Sequence, residues 1–129
     1  MILRLLLAAA LGAVIGYQRE RVGKAAGVRT HTLVGSGAAV FTLASIYGFA
    51  GEAVDISRVA AAVVVGVGFI GGGVIFRGER GEEVAGLTTA ATIWMTAAIG
   101  LAAGAEMYLI SVIATAVIVG ILLLPKVRG

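Results

Sequence analysis

The sequence predicts an all-α, polytopic integral membrane protein with five transmembrane helices. Three observations carry that expectation. Of its 129 residues, 60% are hydrophobic and 13% are charged, against about 45–50% and about a quarter in a soluble domain. Such a chain cannot cover its own surface with polar groups. Its apolar residues gather into five runs, at about 2–17, 32–50, 59–76, 87–103 and 107–124, near the length of roughly 17–25 residues that crosses a bilayer. Its basic residues sort onto alternate connections. Arg19, Arg21, Lys24, Arg29, Arg77, Arg80, Lys126 and Arg128 fall on one side of a five-span chain, and Arg4 and Arg58 on the other. Basic residues stay cytoplasmic, so the N-terminus is expected outside and the C-terminus in the cytoplasm, with one domain over 1–129.

The first run is the shortest, and Arg4 interrupts it. That arginine is expected to snorkel to the headgroups, with Tyr17 as an interfacial anchor at the other end. A signal peptide would be followed by an A-x-A-like cleavage site. IGYQRERVGK follows instead, so this run is expected to be a retained helix. The first connection is the densest in charge. Glu20 and Lys24 have the spacing of a helical ion pair, and Arg29 and His31 lead into the second run.

The third run contains GVGFIGGGVIF, and its first six residues fit G-x-G-x-x-G. A dinucleotide loop needs a strand before it and a helix after it. Here further glycines follow at once, and no other run supplies a parallel strand. Gly66, Gly68, Gly71, Gly72 and Gly73 are therefore expected to serve helix packing. Lipid tails are as apolar as leucine, so helices associate in them by close approach, which small residues permit. Gly68 and Gly72 form one small stripe with Ala61; Ala62, Gly66 and Gly73 form a second. A helix narrow on two sides is expected at the hub of the bundle. The competing reading is a break at the triple glycine, freeing carbonyls to hold a cation. Gly12/Gly16 and Gly100/Gly104 repeat the spacing in the first and fourth runs.

In the fourth run Thr89, Thr92 and Thr96 share a face, with Thr88 beside them. They suit either interhelical contact with self-satisfied hydroxyls or a polar pathway. Trp94 lies mid-run, and its N–H is expected to face protein, with Ser111 or Thr115 as partner. The fifth run ends before Pro125, the sole proline.

The chain has no cysteine and one histidine, His31. Disulfides, thiol catalysis and a multi-histidine metal site are excluded, and nothing resembles a hydrolytic triad. The expectation is no enzyme and no cofactor. Glu52, Asp55 and Glu106 are expected as exposed acids between runs. They could draw a divalent cation, and solubility explains them equally well. No run carries a carboxylate at its centre, which weighs against a proton relay. The net charge of +3 follows the membrane-sidedness pattern, so no nucleic-acid partner is expected.

Three blocks, AGVRTHTLVGSGAAVFTLAS, GVGFIGGGVIFR and VAGLTTAATIWMTAAIGLAAG, resemble the membrane domain of the MgtC/SapB family, in the same order and over nearly the whole chain. The resemblance implies a bacterial inner-membrane protein linked to growth under magnesium limitation. In several members it also implies virulence and action on the membrane ATP synthase. The expected role is regulatory, through helix-to-helix contact with membrane partners or with itself as a homo-oligomer. The alternative is a channel or carrier for magnesium or another small solute. A third expectation is anionic lipid held at Arg19, Arg21 and Arg29. The family's characteristic residues fall here on Arg19, Glu20, Arg29, Thr30, His31, Asp55, Arg58, Gly68, Gly71, Gly73, Gly86, Leu87, Thr88, Thr89 and Trp94. Gln18 stands where the family often has glutamate, and Glu106 where a small residue is common. Many members continue into a soluble C-terminal domain; with the sequence ending at Gly129, none is expected.

Overall fold

The computed structural model describes residues 1–77 and 84–125. Arg80, Lys126 and Arg128 of the charge pattern lie outside the described residues. Five α-helices follow in order: α1 (Ile2–Arg21), α2 (Val28–Tyr47), α3 (Ser57–Gly73), α4 (Leu87–Gly104) and α5 (Tyr108–Leu122). Between α3 and α4 lies a short antiparallel ladder of β1 (Phe76–Arg77) and β2 (Val84–Ala85), with Phe76 opposite Ala85. The all-α class holds. α1 and α4 are long and apolar enough to cross a membrane, while the apolar helices α3 and α5 are shorter, at 17 and 15 residues.

The helix ends differ from the apolar runs for identifiable reasons. α1 continues to Arg21 and α2 begins at Val28, because hydropathy marks where a helix is greasy, not where its hydrogen bonds stop. Gly23, at φ +75, turns the chain between them. Lys24 is thereby carried off the helix, so the anticipated Glu20–Lys24 helical pair does not form; the backbone N–H of Lys24 instead donates to the Arg19 carbonyl at 3.1 Å. α3 stops at Gly73, short of Phe76. Gly71–Gly73 form its last turn, closed by Val74 and Ile75 N–H groups on the Gly71 and Gly72 carbonyls, both at 3.2 Å. Glycine is a poor helix former, and Val74, Ile75 and Phe76 favour extension. The triple glycine is thus a helix terminus and not a mid-span break.

The bundle is organised around α4, which packs against all four other helices. Its buried side includes Thr89, Thr92, Ile93, Thr96, Ala97, Ile99, Gly100 and Gly104. One apolar cluster joins Leu11 and Ile15 of α1 to Ile99 of α4 and the inner side of α5. A second joins Ala38 of α2, Val63 of α3 and Ala97 of α4. Between them Ala8, Ala39 and Ala103 bring α1, α2 and α4 together. The core is therefore a three-helix unit, with α3 and α5 laid on opposite flanks.

This corrects the expected placement of α3 at the hub. Only Val63 and Gly71 of α3 are buried. A Cβ added at Gly71 would touch Ala90 at 3.4 Å, whereas at Gly66, Gly68, Gly72 and Gly73 it would meet nothing within 4 Å. The small residues that do bring backbones together are those of α1 and α4. A Cβ at Gly12 would fall 2.5 Å from the His31 carbonyl oxygen, and one at Gly16 would fall 2.6 Å from Val28 Cα. At Gly104 it would come 2.9 Å from Thr42 Cβ, and at Gly100 it would collide with the Gly35 carbonyl. Every one of these contacts lands on α2. The loop before α4 has its own requirement: Gly86 sits at φ +88 against the Val74 carbonyl, where a side chain would clash.

Outside this core the surface is apolar. Phe69 is 85% exposed, Val65 and Leu109 75%, and Leu33 70%. Patches of this kind mark a face made for lipid or protein contact.

Gly100→Ala is expected to destabilise the fold by about 1–3 kcal/mol through overpacking on Gly35. Gly37→Ala, at an open position of α2, should be neutral or stabilise by up to about 1 kcal/mol through helix propensity. Thermal unfolding of the two variants in detergent checks the contrast.

Candidate functional site

The characteristic residues do not converge on one centre; the fold distributes them over separate places. The most buried lies where the C-terminal part of α1 meets the N-terminal ends of α2 and α4. Arg19 follows Gly12 and Gly16 along the face of α1 that approaches α2, and it is only 4% exposed. One Nη2–H of Arg19 donates to Thr89 Oγ1 at 3.1 Å. His31, fully buried, lies on the face of α2 that receives Gly12. Its Nδ1 is 2.9 Å from the Gly27 carbonyl oxygen. A carbonyl can only accept, so Nδ1 carries the proton and Nε2 presents a lone pair. Among the described residues neither His31 Nε2 nor Arg19 Nε has a hydrogen-bond partner; the same holds for Gln18 Oε1 and Thr32 Oγ1. Orphaned buried polar atoms are costly and are normally met by protein or ordered water. Donor and acceptor character are both present here, which suits water, itself donor and acceptor.

Thr92 and Thr96 share the buried face of α4 with Thr89 but behave differently. Their hydroxyls donate to the Thr88 and Thr92 carbonyls at 2.6 and 2.7 Å. They are spent on their own helix, and the same is true of Thr42 on α2. Thr88 itself is exposed.

Glu20, Arg29 and Thr30 form a second place, on the outer side of the α1–α2 junction. With Ala25, Gly27 and Leu33 they line a cavity of about 330 Å³. The Glu20 carboxylate is laid over Gly27, where a Cβ would come 2.6 Å from Oε1. Asp55 and Arg58 form a third, at the start of α3. Ser57 donates to Asp55 Oδ1 through its hydroxyl at 2.6 Å and its backbone N–H at 2.9 Å. These bonds, hydroxyl first, and the Arg58 charge hold the Asp55 carboxyl below its usual range. A depressed folded pKa stabilises above the unfolded value and is lost as pH falls through the folded one. Asp55 is thus engaged in starting a helix.

Trp94 is half exposed, contrary to the expectation that it faces protein. It borders a small depression of about 50 Å³ with Val63, Val64, Ala97, Ala98 and Leu101. Ser111 and Thr115, its anticipated partners, donate instead to the Tyr108 and Ser111 carbonyls at 2.7 and 2.8 Å. No group of three or more His, Cys, Asp or Glu side chains suited to a metal occurs among the described residues.

At the opposite end of the bundle the structure reveals a cluster that motif reading missed. Arg4 is 6% exposed and does not snorkel outward. It donates to the Gly104 carbonyl at 3.0 Å and to Tyr47 Oη at 2.8 Å, lies 5.3 Å from the Tyr47 ring centroid, and forms an ion pair with Glu106. Glu106 is exposed, as expected of an acid between runs, and it also serves as the counter-ion of the buried Arg4. It sits at φ +66, in the left-handed region that glycine adopts most readily. The available signal was chemical: an arginine inside an apolar run calls for a partner, and Glu106 is the only acid between the fourth and fifth runs.

The MgtC family model matches residues 5–128. The chain belongs to the MgtC family. It is 51% identical over 113 residues to YhiD of Escherichia coli (strain K12), named provisionally as a magnesium transporter, a match over 83% of this chain and 52% of YhiD. It is 44% identical over 117 residues to protein MgtC of Salmonella typhimurium (strain LT2), covering 91% of this chain and 48% of that one. It is 43% identical over 123 residues to protein SrpB of Synechococcus elongatus, covering 87% and 67%. The chain thus spans about half the length of YhiD and MgtC. None of these three relatives is named as an enzyme. No solved structure matches the chain significantly.

The two kinds of threonine predict different mutational costs. Thr89→Val removes the acceptor of a buried guanidinium and is expected to cost about 1.5–3 kcal/mol. Thr92→Val and Thr96→Val remove bonds internal to α4 and should each cost well under half of that. Detergent thermal unfolding of the three single variants checks the order.

Proposed function

We propose that this MgtC-family chain is a five-span inner-membrane protein, N-terminus outside and C-terminus in the cytoplasm, that works by lateral helix association. The observation that supports this most is the bare glycine side of α3. Gly68 and Gly72 stand one turn apart with open space before them, on a helix whose neighbouring Val65 and Phe69 are among the most exposed residues of the chain. In lipid, such a small-xxx-small stripe lets a second backbone approach. A second copy of the same helix is self-complementary to it about a two-fold axis. The role is then regulatory, exerted by an oligomer within the bilayer on a membrane partner such as the ATP synthase. Adaptation to magnesium limitation and, in a pathogen, virulence are the settings that the relatives and the family suggest.

The multi-pass placement draws support from the apolar surface on every helix and from the arginines. Arg4 and Arg19 are buried and each bonds to a group of α4, turned into the bundle as intramembrane charges generally are. The carrier reading, suggested by the name of YhiD, would route a cation beside Thr88 and Thr89. The Arg19 guanidinium is bonded to Thr89, so a divalent cation taking that route would meet a positive charge. The association reading is therefore preferred.

Gly68→Leu and Gly72→Leu point into open space within one copy. Both are expected to leave the thermal stability of the monomer unchanged or raised while abolishing cross-linking between copies in native membranes. Cross-linking that persists in both variants, or wild-type protein that never cross-links, would remove the basis for this reading.

A further inference from the structure

The cavity at the α1–α2 junction is lined by both signs of charge, and those charges are not spent on one another. Glu20 and Arg29 face the same space of about 330 Å³; among the described residues the ion pair that forms is Arg4–Glu106, at the other end of the bundle. Here the Glu20 carboxylate lies against Gly27, and the space it shares with Arg29 is open. Thr30 adds a hydroxyl beside Arg29. Leu33, one turn further along α2 and 70% exposed, gives the cavity an apolar exit toward the middle of the helix. Near the same level of α1 the Arg21 guanidinium lies 6.0 Å from the centroid of the exposed Tyr17 ring, the type of amphipathic pair found at a membrane–water boundary.

Polar groups of both signs at the boundary, with an apolar track leading inward, match the depth profile of one class of ligand. We propose that this cavity seats the headgroup of a zwitterionic phospholipid carrying a primary ammonium, a phosphatidylethanolamine. The Arg29 guanidinium and the Thr30 hydroxyl take the phosphate, for which the planar fork of arginine is suited. Glu20 takes the ammonium, and Leu33 lies along the start of an acyl chain. A purely anionic headgroup satisfies Arg29 but sets its charge against Glu20. A quaternary choline headgroup offers Glu20 no N–H to donate. The site is selective because it contains a carboxylate that a simple basic lipid patch lacks.

The proposal rests on the membrane placement given above but not on association through α3, since none of its residues lies on that helix. The test is native mass spectrometry of the purified chain in detergent. It is offered phosphatidylethanolamine or phosphatidylglycerol with matched acyl chains, and glycerophosphoethanolamine as the free headgroup. Wild type should retain phosphatidylethanolamine about two- to fivefold better than phosphatidylglycerol, the size of an exposed ion pair. Glu20→Gln should bring that ratio to parity while keeping binding of both. Arg29→Gln should weaken both lipids. Leu33→Asn should weaken both without altering the ratio. Equal retention by wild type, or a preference that survives Glu20→Gln, overturns the proposal. Glycerophosphoethanolamine binding as tightly as the lipid overturns the assignment to a membrane source. A chain that resists alkaline extraction and cross-links through α3, yet shows no headgroup preference, would refute this inference and leave the proposed function intact.

Discussion

The contact of α2 with the glycines of α1 and α4 is the constraint on which the remaining structure depends. Gly12 and Gly16 lie on the His31–Thr32 and Gly27–Val28 backbone, and Gly100 and Gly104 on Gly35, Ala39 and Thr42. These distances leave no room for a Cβ. With the three axes this close, many of the buried side chains are small or self-satisfied, among them Ala8, Ala38, Ala39, Ala97, Ala103 and the back-bonded Thr92 and Thr96, while His31 and Arg19 are the large polar exceptions at one end. Larger residues such as Ile15 and Ile99 move to the flank where α5 covers them. In a lipid solvent there is little hydrophobic gain from joining helices. Close fit of backbone on backbone must then supply the attraction, because dispersion falls away quickly once a gap opens.

That tight core explains the behaviour of the two buried arginines. Arg4 and Arg19 are fifteen residues apart on α1, roughly 22 Å at 1.5 Å per residue, within a hydrocarbon layer of about 30 Å. Neither is far from a boundary, and an arginine on an isolated helix would reach for headgroups. Each is instead turned inward, onto α4. Arg4 holds the Gly104 carbonyl and Glu106 at one end, and Arg19 holds Thr89 at the other. α1 is pinned to α4 at both ends by charge-assisted bonds, which fix register where glycine contacts alone would tolerate sliding. Glu106 adopts a left-handed backbone, in which glycine would be at ease, and pairs with Arg4 from there.

Much of this was legible in the sequence. The number and order of helices followed from the spacing of apolar runs, and membership of the family followed from three blocks quoted residue by residue. The start of α4 at Leu87 was read directly, because Gly86 and the apolar edge coincide there. Helix ends at Arg21 and Val28 were not, since charged residues continue a helix beyond its apolar part. The larger misreading concerned glycine. A stripe at four-residue spacing states that a helix can be approached; it does not state by what. Gly68/Gly72 and Gly100/Gly104 are indistinguishable by spacing, yet one pair is open and the other is pressed onto α2. The distinction lies in tertiary neighbours, to which a local pattern is blind. Trp94 shows the same limit: the need of its indole N–H for a partner could be inferred, but not the direction in which the side chain points. Arg19, Thr89 and His31 were singled out by motif, and the fold does bring them to one junction. Glu20, Arg29 and Thr30, though adjacent in the same motif, face the other way, because successive residues on a helix point about 100° apart.

The division of labour between buried and exposed glycines bears on how such a chain can act. A bundle with small residues only in its core would be complete in itself, and its lipid-facing helices would gain nothing from glycine, which costs about 1 kcal/mol per position against alanine in a helix. α3 carries Gly66, Gly68, Gly72 and Gly73 without an internal contact to repay them, so their cost is not offset within one copy. The hydroxyls of Thr42, Thr92, Thr96, Ser111 and Thr115 are committed to carbonyls of their own helices, and both buried arginines bond to α4. Beyond the orphaned polar atoms at the α1–α2–α4 junction, two uncommitted features lie at the periphery: one glycine-lined helix side and one two-signed cavity. The tight α1–α2–α4 unit supplies the frame that holds both surfaces in place.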